Sequence, residues 1–112
     1  MSNRAWITEE QVHKAVEFLR DNALAIGQAK ARAVRSGHMI KHIKALAMKA
    51  MDGPVSKAEV EALASDAYKA AIDEDAIAAG ELAKLHSLRE AASMTIEVWR
   101  SQQATLRYNK VQ

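Results

Sequence analysis

Between Asn22 and Met51 the chain carries six basic side chains, Lys30, Arg32, Arg35, Lys41, Lys44 and Lys49, and not one carboxylate. Ammonium and guanidinium groups without nearby acids do electrostatic rather than covalent chemistry. They hold phosphates, anionic lipid headgroups or the carboxylates of another helix. At about 100° per residue, Lys30, Arg35, His38, Lys41, His42, Lys44 and Lys49 share one half of a helical wheel, and Met39, Ile40, Ile43, Leu46 and Ala50 share the other. Arg32 alone strays onto the apolar half. The C-terminal stretch VWRSQQATLRYNK repeats the theme. Arg100, Gln103, Arg107 and Lys110 recur at helical spacing beside Trp99 and Tyr108, whose rings offer stacking faces to single-stranded bases. The candidate nucleic-acid-binding set is therefore Lys30, Arg35, Lys41, Lys44, Lys49, Arg100, Arg107, Lys110 and Tyr108.

Each of these signals has a purely structural counterpart. Residues 52–81 hold eight acidic and two basic side chains, so an antiparallel pairing would lay the basic block along an acidic one. Exposed ion pairs of that kind set orientation and contribute well under about 1 kcal/mol each. Trp99 can close a core seam, and Arg107 and Lys110 can complement a helix C-terminal dipole. A membrane-surface role is disfavoured, because the apolar half is rich in Ala and lacks Trp or Phe.

Other chemistry finds less to work with. His38 and His42 stand four apart on one helix face, but zinc wants a third ligand and the segment has neither Cys nor a carboxylate. The carboxylates of IDEDA read as a helix start or a solvated face, with no nucleophile–base pair or glycine-rich phosphate loop elsewhere. We expect no catalytic residue, no metal and no cofactor. The chain has no Cys, its N-terminal MSNRAWITEE has no apolar signal-like run, and no stretch of about 18 apolar residues suits a membrane span. A cytoplasmic protein without membrane contact is the expectation.

The elements that must position these groups are written in the caps. Thr8 with Gln11 makes a capping box flanked by Ile7 and Val12, so a helix should begin at Glu9. The signature recurs at Ser56 and Glu59, flanked by Val55 and Val60. Between them Gly53 and Pro54 supply a left-handed cap and a stop. The spacing predicts one helical domain over 1–112, with arms over about 9–51 and 57–107 and a turn at 52–55. In the first arm Val12, Val16, Leu19, Ala23 and Ile26 form a stripe that changes phase after Gly27, which suggests a kink there or at Ser36-Gly37. The second arm has a seam through Ala64, Tyr68, Ala71, Asp75, Ala78, Leu82, Leu85, Arg89, Ala92, Ile96 and Trp99, with Asp75 and Arg89 as polar interruptions. Asp75 marks either a helix restart or a polar layer. The fold class is all-α, an antiparallel helical hairpin or bundle of long helices. With Ala at about one position in five and 4% aromatics, its core is thin, and a homo-oligomer, dimer or higher, is expected to complete it.

Four segments, EFLRDNALAIGQAKA, KALAMKA, EALASDAYKAAIDE and LREAASMTIEVWRSQQA, resemble a family of small uncharacterised helical proteins encoded in phages and prophages. The likeness covers roughly residues 16 to 104 and is most distinctive at Ile96-Glu97-Val98-Trp99-Arg100-Ser101. It implies an early gene region, close to DNA recombination and replication, and hence the host cytoplasm. The partners it implies are DNA or a phage recombination or replication protein. The alternative is a protein–protein module or inhibitor of a host factor that works through the acidic block of residues 52–81.

Overall fold

The computed structural model describes residues 6–111. Of these, 90% are helical, in α1 (Glu9–Lys49), α2 (Val55–Leu63) and α3 (Asp66–Val111). The described residues contain no strand.

Helix α1 starts where its cap dictates. The Thr8 amide donates to Gln11 Oε1 at 2.8 Å, and the Gln11 amide donates to Thr8 Oγ1 at 3.1 Å, the reciprocal pattern of a capping box. Glu9 and Glu10 occupy the first turn and Lys49 the last, matching the helix dipole. The helix runs unbroken through Gly27 and Ser36-Gly37, where the sequence suggests a kink. Its covered face explains why: Phe18, Asn22, Ile26, Ala29, Ala33, Ser36 and Ile40 recur at steps of 4 or 3 through both positions. Of the expected stripe, Val16 and Ala23 are exposed, whereas Val12 and Leu19 are half-buried and Ile26 is buried.

After α1, Gly53 adopts φ +103°, a conformation costly for any residue with a Cβ. Pro54 follows at φ −63° and ψ 146° and precedes the first turn of α2 without a side-chain cap. Helix α2 thus begins at Val55, one residue before Ser56, and the capping box expected from Ser56 and Glu59 does not form. The second arm breaks at Ala64-Ser65. Ser65 Oγ accepts from the Tyr68 amide at 3.2 Å and donates to the Ala62 carbonyl at 2.7 Å, a serine N-cap with Asp66 behind it in the first turn. IDEDA does not restart a helix, because α3 passes through it uninterrupted. Asp75 is a polar layer: its Oδ1 accepts from Ser36 Oγ at 2.8 Å.

The chain forms two compact units, one of Met1–Ile26 with Lys84–Gln112 and one of Gly27–Ala83. In the first, α1 and α3 run antiparallel, with Ala15 beside Ala91 and Ala92. The Ile7 amide donates to Gln102 Oε1 at 2.6 Å, while Gln102 Nε2 donates back to the Ile7 carbonyl at 3.0 Å. In the second unit, the Arg32–Glu74 and Lys44–Glu59 contacts mark the same antiparallel sense. Cores are built from small residues: Ala62 and Ala78 are sealed, and no large side chain is fully buried among the described residues. The α3 seam from Tyr68 to Trp99 faces inward as its spacing predicts, although Leu85 and Trp99 are only half-buried and Arg89 points to solvent.

Candidate nucleic-acid interface

In the Gly27–Ala83 unit, Ala29 and Ser36 are buried and Ala33 and Ile40 half-buried, which turns the opposite side of α1 to solvent. That side carries the basic block, and the block divides in two. Arg32, the residue that strays on the wheel, reaches Glu74 Oε2 with Nη2 at 2.7 Å and Nε at 2.8 Å. Lys44, half-buried, lies 3.7 Å from Glu59. Cross-arm pairing therefore accounts for two of the six cations. Lys30, Arg35, Lys41 and Lys49 are exposed and have no ion-pair partner among the described residues. Their arc also holds exposed His38 and His42, and it spans about 28 Å along the helix. No acid lies on α1 within it, so the arc is electropositive throughout.

In the other unit, Trp99, Arg100, Gln103 and Arg107 line a shallow depression with Glu97, Ser101 and Ala104. Of the predicted C-terminal stripe, Arg100, Gln103 and Arg107 share this depression and Lys110 lies outside it. Arg100 is partly neutralised by Glu97 at 3.4 Å, whereas Arg107 and Lys110 are exposed without an ion-pair partner among the described residues. Tyr108 is 64% exposed, free for stacking, but it lies outside the residues that line the depression. Trp99 is half-buried, which fits a seam residue better than an open stacking platform.

Sequence reasoning missed a third feature. Between α1 and α3 of the Gly27–Ala83 unit runs an open groove of about 540 Å³, floored by Met39, Ile43, Ala67, Ala70 and Ala71, with Arg32, Arg35 and Glu74 on its rim. Arg32 on the apolar half of the wheel was its one sequence signal, since a cation there must meet an acid from the facing helix. Among the described residues, no three metal-ligating side chains come together, and no helix is long and apolar enough to cross a membrane. No family model, no curated protein and no solved structure matches the chain.

Proposed function

We propose that the protein is a non-enzymatic helical accessory factor of phage DNA metabolism that holds the nucleic-acid backbone on the outer arc of α1. One observation carries the reading: Lys30, Arg35, Lys41 and Lys49 keep their charge unpaired while Arg32 and Lys44 are spent on Glu74 and Glu59. Four cations over about 28 Å face roughly sixteen duplex phosphates on that length. Binding should therefore be weak and salt-sensitive. Lysines make phosphate contacts as point charges and carry little base readout, so sequence preference should be slight. The phage and recombination or replication setting rests on the family resemblance.

The test is retention of labelled duplex and single-stranded DNA at about 50 mM salt, where counterion release favours complex formation. Wild type should bind and a Lys30→Glu, Lys41→Glu double variant should not. A wild type that retains neither form refutes the reading. It would favour the second one, docking of a host or phage protein on the acidic side, where Asp52, Glu61 and Asp66 are exposed and without ion-pair partners among the described residues.

A further inference from the structure

The Gly27–Ala83 unit leaves its large aliphatic side chains outside. Leu46, Val60 and Ile77 are 50%, 66% and 59% exposed, while its buried positions are Ala29, Ser36, Ala58, Ala62 and Ala78.

Leu46, Val60 and Ile77 do not line the groove between α1 and α3, whose own large apolar side chains are the half-buried Met39 and Ile43. The groove floor is apolar and its two walls carry opposite charge, Arg32 and Arg35 on α1 and Glu74 on α3. Such a surface is complementary to itself. A two-fold axis along the groove sets α1 of one copy over α3 of the other, cationic wall on acidic wall, in both halves at once. The local contacts leave matching valences. Arg32 places Nε and Nη2 on Glu74 Oε2, while Oε1 has no partner among the described residues and Arg35 has no carboxylate there.

We infer that this groove is closed by the same groove of a second copy, with Arg35 of each chain donating to the free oxygen of Glu74 of the other. Met39 and Ile43 then interlock over the small floor formed by Ala67, Ala70 and Ala71. Ala on the floor is what permits close approach of the helices. The dimer shares one residue, Arg35, with the nucleic-acid reading, so a salt slope of four cations refers to the monomer and falls to that of three in the dimer; Lys30 and Lys41 lie on the opposite side of α1 by helical spacing and are untouched by it.

Sedimentation equilibrium and light scattering across about 5 to 200 μM test it, a range in which an interface of standard size is populated. Wild type should run at twice the chain mass of 12.3 kDa. Ala70→Arg puts a cation on the groove floor at an exposed helical position and should run at the chain mass with unchanged helicity. Ala79→Arg, exposed on the opposite face of α3 two and a half turns on, should stay dimeric. Should Ala70→Arg lose helicity, Arg35→Glu takes its place and should raise the dimer dissociation constant about tenfold or more through repulsion by Glu74. A wild type that remains monomeric overturns the inference, leaving the groove to another helix. So does a dimer that Ala70→Arg or Arg35→Glu leaves unchanged, or an assembly larger than two.

Discussion

Lys41→Glu and Lys44→Glu reverse the same charge three residues apart on α1, and the structure separates their consequences. At position 44 the new carboxylate would stand where Nζ now lies 3.7 Å from Glu59. Losing that partly exposed pair and adding repulsion of similar size costs about 1 kcal/mol after solvent screening, which lowers the melting temperature by roughly 4 °C or more. At position 41 no acid is in range, so stability should stay within about 0.5 kcal/mol of wild type. Nucleic-acid binding reverses the order. Four neutralised phosphates give a duplex salt slope near −3.6, so wild-type affinity should fall about 150-fold between 50 and 200 mM salt. With Lys41→Glu the slope should drop to about −2.7 and the fall to roughly 40-fold. Lys44→Glu should weaken binding much less, because its charge is already committed. The assays are thermal melting by circular dichroism and fluorescence anisotropy on a labelled duplex over a salt series. If Lys41→Glu melts as low as Lys44→Glu, or the wild-type slope is flat, the division of the basic block into paired and free cations is wrong.

The glycines give a second set of expectations. Gly27 and Gly80 are helical, with nothing within 4 Å of the point where a Cβ would stand, so Gly27→Ala and Gly80→Ala should each raise stability in urea titrations by about 0.5–1 kcal/mol. Gly53→Ala should lower it by about 1 kcal/mol, since φ +103° strains any side chain. Gln102→Ala removes both contacts to the Ile7 backbone; a loss of about 1 kcal/mol and faster amide exchange at Ile7 are expected. Asp75→Leu replaces the polar layer with an apolar one, and Ser36 keeps its bond to the Ala33 carbonyl at 3.0 Å. Stability by denaturant should be unchanged or raised by about 1 kcal/mol, and a loss above about 2 kcal/mol would show instead that Ser36–Asp75 holds the arms together.

Much of this architecture was legible because it is enforced locally. Thr8, Gln11 and Gly53 act through contacts or dihedral limits within a few residues, and the α3 seam from Tyr68 to Trp99 repeats with the helix period. What was not legible depends on competition between equally good local signals. Ser65-Asp66 and Ser56-Glu59 both carry the residues of a helix start. Pro54, with φ already set at −63°, starts α2 at Val55 and leaves Ser56 without a capping role, whereas nothing upstream of Ser65 competes with its hydroxyl. A phase change after Gly27 follows only if Val16 and Ala23 belong to the inward stripe. The inward stripe runs through Phe18 and Asn22, and Asn22 can lie there because its Nδ2 donates to the Phe18 carbonyl at 3.0 Å.

The basic block shows the same limit at longer range. Its composition says that six cations face eight acids across a turn, but not which of them meet. That is decided by register and by distance from the seam: a side chain beside the seam finds the facing helix, and one on the outer arc cannot reach it. Arg32 and Lys44 lie beside the seam and pair with Glu74 and Glu59, while Lys30 and Lys41 lie on the arc and stay free. Gly53 makes the turn from which this register starts, and the Ser36–Asp75 contact marks it farther along. The Ala-rich seam has a further effect, because small side chains bring the helices close and leave the large aliphatics outside. A chain built this way exposes unpaired charge and apolar surface together, and on α1 the two lie on different sides: Lys30 and Lys41 on one, Met39 and Ile43 on the other.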